Sequence, residues 1–195
     1  MKKLISGLVA IGIVLTTQIA PAHATTLQET VTDPSCVSQV TALGGSAAEA
    51  NSFCTFTFSS TSVVALSTQA QSRTLSSAAL SNSPINSITW TTSVTAPAYK
   101  EVQKGVAYFD GTYAWSTTPY RGFLGSHQCH ASGSYAIGVS VSGVNCTTSV
   151  SQSGASIVER ETYDLSMIFQ GFPISTSVAF SALINCNGGF VERLF

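Results

Sequence analysis

"SITWTTSVT", residues 87–95, sets Ile88, Trp90 and Val94 on one side of an extended chain and Thr89, Thr91, Ser93 and Thr95 on the other. Successive side chains of a strand point to opposite faces, so this period of two is the mark of a strand buried on one face. The same period runs through "CTFTFSS" (54–60), "SYAIGVSVS" (134–142) and "TSVAFSALINC" (176–186). Segments 62–68 and 157–170 read as further strands, with no facing assigned. Many strands joined by Gly, Ser and Asn turns predict an all-β, single-domain antiparallel β-sandwich, with a small β-barrel as the alternative.

Helical patterns are short. "SAAEANS" carries Ser46 and Glu49 at the spacing of a capping box, and "TLSSAALS" (74–81) has a brief apolar repeat. Both are too short to form a stable helix unaided.

Two hairpins are expected. In "VAYFDGTYAW" (106–115), Asp110-Gly111 suits a two-residue type I′ turn. That turn would pair Phe109 with Thr112, Tyr108 with Tyr113 and Val106 with Trp115. Val106, Tyr108, Tyr113 and Trp115 would then share a face, opposite Phe109, Ala107 and Ala114. A second turn at Asn187-Gly188 would fold "FVERLF" back on the strand ending at Cys186 and tuck Phe195 into the sheet.

Residues 1–24 read as a secretory signal: Lys2 and Lys3, an apolar run from Leu4 to Leu15, and the small-residue site Ala22-His23-Ala24. Ser6, Gly7, Thr16, Thr17 and Gln18 break that run short of the roughly 20 apolar residues a membrane span needs. The expected organisation is a signal at 1–24, a loose segment at 25–35 and one all-β domain over 36–195. The product is expected to be secreted and soluble, with no membrane partner after cleavage. An outer-membrane barrel is disfavoured by Arg193 at a lipid-facing position and by small residues where aromatic girdles belong.

Lys2 and Lys3 are two of the eight basic residues, so the rest of the chain carries six against nine acidic ones. The six are scattered, which excludes nucleic acid as a partner, because phosphate binding needs a basic footprint. Beyond residue 24 stand 29 serines and 21 threonines, a hydroxyl-rich surface on a chain that still has regularly spaced apolar and aromatic residues.

Five cysteines in an exported chain imply disulfides with one thiol left over. Chain distance favours Cys36 with Cys54 and Cys129 with Cys146, each closing a short loop that contains glycines. Cys186 is then the odd thiol, expected in the last long strand. Pairing Cys146 with Cys186 is the alternative, and it frees Cys129.

"GSHQCHASGSY" (125–135) holds both histidines that follow the signal. With Cys129 free, His127, Cys129 and His130 would offer zinc three ligands within four residues, but no second cluster completes the set. No metal or other cofactor is therefore expected. No G-x-S-x-G elbow occurs. Glu159, Glu161 and Asp164 are acidic residues of the kind that cleave glycosides, but Glu159 and Glu161 flank Arg160 and read as a solvated strand edge.

The balance leans away from an enzyme and toward a non-catalytic extracellular binding module for a glycan or a protein. A structural or assembly component and a hydrolase without a recognisable motif are the alternatives. The candidate ligand site is the face formed by Tyr108, Tyr113 and Trp115, with Tyr120 and Arg121 from the following loop; aromatic rings of this kind stack on sugars or anchor partners. In composition and leader the chain resembles, in a general way, exported β-rich proteins of bacteria, a likeness that carries no site residues with it.

Overall fold

A computed structural model describes residues 24–66 and 83–194. The secretory signal before residue 24, the apolar repeat at 74–81 and the end of the chain at Phe195 lie outside the described residues. The elements run β1 (Ala24–Thr32), α1 (Pro34–Ala42), α2 (Ala47–Phe53), β2 (Thr55–Leu66), β3 (Asn86–Ala96), β4 (Tyr99–Phe109), β5 (Ala114–Trp115), β6 (Ser126–Tyr135), β7 (Ser140–Val150), β8 (Ser156–Phe169), β9 (Phe172–Asn185) and β10 (Phe190–Leu194).

All the pairings are antiparallel. One sheet runs β1-β2-β3-β4, with β5 and β6 sharing the far edge of β4; the other runs β10-β9-β8-β7. The two sheets face each other as a sandwich, not a closed barrel. Cys36–Cys54 ties α1 to the end of α2, and Cys129–Cys146 joins β6 of one sheet to β7 of the other. These are the pairings that chain distance favours.

Ile88, Trp90 and Val94 of the opening stretch are all buried between the sheets. The helices start where local chemistry allows. Asp33 caps α1 by accepting from the Ser35 N–H, with Pro34 just inside the helix, and Ser46 and Glu49 form the capping box of α2.

Several expectations change. Residues 25–35 are not loose: Ala24 to Thr32 pair residue by residue with Val63 to Thr55, and Asp33 then opens α1. The stretch 134–142 is not one strand but the turn between β6 and β7, where Gly138 has φ +86° and Ile137 is fully exposed. Cys186 lies in the turn after β9, half-buried, rather than within the strand.

The Asp110-Gly111 hairpin is longer than two residues. Phe109 pairs with Ala114 and Tyr108 with Trp115, leaving a four-residue loop. The Asp110 carboxylate accepts from the Thr112 and Tyr113 backbone N–H groups, which holds the wider turn closed. A shift of two residues preserves facing, so Phe109, Ala107 and Ala114 point inward.

The interior holds two apolar clusters. Phe56, Phe58, Val94, Tyr163, Leu165 and Phe180 pack beneath the helices at one end; Ile88, Trp90, Ala107, Phe109, Ile157 and Ile184 fill the other. On β2, β3, β4 and β8 the inward residues between the two clusters include polar ones: Ser60, Thr92, Glu101, Gln103, Glu159 and Glu161.

Candidate functional site

Along β4 the inward positions read Tyr99, Glu101, Gln103, Gly105, Ala107 and Phe109; along β8 they read Ile157, Glu159, Glu161, Tyr163, Leu165 and Met167. Glu101, Gln103, Glu159 and Glu161 are all fully buried. Strand register aligns these groups in rows. Ser60, Thr92 and Gln103 stand side by side across β2, β3 and β4, and Glu192, Ala182, Glu159 and Thr148 across β10, β9, β8 and β7. The result is a polar layer through the sandwich, separating its two apolar clusters.

A buried charge must be paired or hydrogen-bonded. Glu159 meets that need with the His127 Nδ1 at 2.8 Å, the Thr148 hydroxyl at 2.6 Å and the Ser116 hydroxyl. The Nε2 of the same imidazole lies 3.0 Å from the Gln103 Oε1. Glu101 is met by the Nδ1 of His130 at 3.0 Å and by the Tyr135 hydroxyl, which donates to it. Glu161 accepts from the His130 backbone N–H at 3.2 Å. Deeper in, the hydroxyls of Tyr99 and Tyr163 bond to each other.

His130 reaches both carboxylates because β6 bulges. Gln128 faces Lys104 and Ser132 faces Val102, so Cys129, His130 and Ala131 stand opposite Gln103 alone. His130 takes φ +49°, a left-handed conformation uncommon outside glycine, which turns its N–H toward Glu161. Its ring is half-exposed, so this end of the layer meets solvent, whereas the His127 side chain is shut away.

Burial pushes the Glu161 carboxyl up to about 7; the charge of Glu101 adds to the rise and the His130 N–H opposes it. Burial likewise raises Glu192 to about 6, with Glu29 adding and the Ser60 hydroxyl opposing. Desolvation also holds the Tyr99, Tyr135 and Tyr163 phenols well above the usual range.

The sequence reading placed Glu159 and Glu161 on a solvated edge, and the structure overturns it: they share parity with Ile157, Tyr163, Leu165 and Met167, while Arg160 faces out. Parity with flanking core residues was the signal that could have found them, and it applies equally to Glu101 and Gln103.

The zinc trio of His127, Cys129 and His130 is not assembled. Cys129 is bonded to Cys146, and the His130 ring turns to Glu101. His127 lies instead against both bridge sulfurs, with Nε2 3.4 Å from Cys129 Sγ and 3.8 Å from Cys146 Sγ.

The aromatic hairpin is brought together on the outer face of its sheet, but as a small closed core. Trp115 is only 5% exposed, packed with Ile85 and Phe123, stacked on Tyr108 and met edge-on by Tyr120. Arg121 is anchored to Asp110 at 2.8 Å. Tyr113 and Tyr120 remain exposed, 5.5 Å apart and edge-on.

At the edge of the sandwich formed by β1 and β9 lies an open groove of about 960 Å³, lined by Val31, Phe56, Phe58 and Val178 together with Glu29, Asp33 and Asp164. Among the described residues the second sheet has no strand opposite β1 here. The described residues of β10 pair with β9 from Phe180 to Ile184. Leu27 and Val31, on the inward side of β1, are consequently 42% and 38% exposed. Near Ser175 the free edge of β9 is capped by Gln39, whose amide bonds both the N–H and the C=O of that residue.

No protein-family model, curated protein or solved structure matches this chain. Among the described residues no helix is long and apolar enough to cross a membrane.

Proposed function

We propose that this protein is an exported, non-catalytic binding module whose groove between β1 and β9 receives an extended segment of a partner protein. One observation carries the reading: among the described residues the inward face of β1 has no strand opposite it, leaving apolar side chains on the floor of a groove rimmed by acidic ones. A strand laid beside β9 past the end of β10 would cover Leu27 and Val31 and find the β9 backbone beside it, the geometry of β-strand addition. Among the described residues the rim contains Glu29, Asp33 and Asp164 and no basic residue, so the complementary segment alternates apolar residues with Lys or Arg. This preference favours a protein ligand over a neutral glycan.

Displayed random peptides and a glycan array, screened in parallel, test the proposal. Enrichment of basic, alternating peptides is expected, with binding lost in Val31→Arg and Asp164→Lys and weakened by salt. Enrichment of glycans, or peptide binding indifferent to both substitutions, refutes it. Export is part of the same proposal: disulfides suit an oxidising compartment, and the N-terminus of exported protein is expected at Thr25.

A hydrolase is the second reading, favoured by one feature: Glu161, raised to about 7, lies close enough to feel the charge of Glu101, whose partners His130 and Tyr135 reach the solvent edge. Turnover of any glycoside or ester in a substrate panel, abolished by Glu161→Gln, would establish it.

A further inference from the structure

The corner where β6 meets β7 carries chemistry that the binding groove does not use. Cys129, Cys146 and His127 bring their two sulfurs and an imidazole nitrogen within 4.8 Å of one another. The other nitrogen of His127, Nδ1, lies 2.8 Å from Glu159, itself held by Thr148 and Ser116. A carboxylate that fixes the tautomer and orientation of a histidine is the usual outer support of a metal-ligating imidazole.

We propose that the Cys129–Cys146 bridge is the oxidised form of a metal site, in which reduction frees two thiolates that bind a soft divalent cation such as zinc together with the Nε2 of His127. In a tetrahedral zinc site the sulfur-to-nitrogen edge is about 3.5 Å. The Cys129 edge, 3.4 Å, already has that length, whereas Cys146 Sγ lies beside the ring, 3.8 Å from Nε2 and 3.5 Å from Nδ1. On reduction Cys146 Sγ must swing from beside Nδ1 toward the Nε2 end of the ring and stand about 3.8 Å from Cys129 Sγ. The fold permits this, because β6 and β7 belong to different sheets and Cys146 is exposed on an edge strand. The Gln103 amide oxygen, 3.0 Å from Nε2, or a water completes the coordination.

The chemistry balances with an external dithiol as reductant. Its two thiols pass two electrons to the bridge and leave as a cyclic disulfide, Cys129 and Cys146 become thiols, and metal binding releases their two protons. The cation then neutralises the two thiolates, and the His127–Glu159 pair is retained. Disulfide and metal exclude each other, so the corner holds one state or the other according to the thiol poise around it.

The test uses the full folded domain in a Cys186→Ser background, which removes the odd thiol. Cys36 and Cys54 are fully buried, so mild anaerobic treatment with a dithiol opens the Cys129–Cys146 bridge first; alkylation mapping verifies it. Cobalt(II) titration of the reduced protein is expected to give a thiolate-to-cobalt charge-transfer band saturating at one ion per chain and displaced by zinc, with no band from oxidised protein. Cys146→Ser should halve the band. His127→Ala and Glu159→Gln should each weaken binding at least tenfold. Should His127→Ala not fold, Glu159→Gln reads the same imidazole. A reduced protein without a stoichiometric band, or a band of unchanged affinity in the folded His127 and Glu159 variants, overturns the proposal.

Discussion

The His127 imidazole and the Glu159 carboxylate meet at 2.8 Å with both side chains sealed from solvent, between strands of opposite sheets. Each is the other's reason for tolerating burial. Removing the carboxylate leaves a buried imidazole nitrogen without its hydrogen-bond partner, which costs about 1–3 kcal/mol. Glu159→Ala is therefore expected to lower unfolding free energy by about that amount in urea titration. Replacing both residues together by Leu should recover part of the loss, since a well-packed apolar pair can substitute for a buried hydrogen-bonded one.

Stability should be higher in mild acid than in mild alkali. Glu161 and Glu192 have carboxyls raised to about 7 and about 6 in the folded protein. A raised carboxyl binds its proton more tightly when folded, so its contribution is complete below the unfolded value near 4.5 and is lost as pH rises through 6 to 7. Asp33 and Asp110 act oppositely: despite burial, hydrogen bonds from Thr176 and Ser35, and from Tyr113, Arg121 and Thr112, lower their carboxyls, so their contribution fails only below about pH 4. Thermal melts should peak near pH 5 and fall by several degrees by pH 8. Glu161→Gln should flatten that fall, and a melt independent of pH between 5 and 8 would contradict the assignment.

Trp115 and Tyr113 belong to the same hairpin but should respond differently. Trp115→Ala empties the centre of the cluster with Ile85, Tyr108 and Phe123 and should cost about 3 kcal/mol in chemical denaturation. Tyr113→Ala removes a side chain that is 41% exposed and should change stability by less than about 0.5 kcal/mol.

Peptide mapping without reduction should recover Cys36 with Cys54 and Cys129 with Cys146, and Cys186 alkylated. Replacing Cys36 and Cys54 together by Ala should cost about 3 kcal/mol, the loop-entropy value for a separation of 18 residues.

Much of the fold was legible in residues 87–95 and their counterparts, because burial on one face of a strand writes a period of two into the sequence. The capping box at Ser46 was equally plain, being a contact between residues three apart. The start of α1 carries the same kind of local signal in Asp33-Pro34. The site was less legible. A charged side chain is assigned outward because burying it alone is costly, and that rule misplaced Glu159 and Glu161.

By itself, then, the sequence determined what depends on near neighbours or on alternation: a strand-rich sandwich, a helix cap, and two disulfide loops short enough for chain distance to favour them. Tertiary structure alone decided what depends on a distant partner. Glu101 and Glu159 can be buried because β6, some 25 residues from either, supplies two histidines, and the bulge at Cys129 to Ala131 aims one of them. Leu27 and Val31 are exposed because, among the described residues, no strand of the second sheet lies opposite them, not because of anything in β1. The Asp110 loop widened because the carboxylate found two backbone donors, and Trp115 went inside because Phe123 and Ile85 closed over it. In each case the free energy of one residue is set by groups far away in the chain, and periodicity along a single strand carries no record of them.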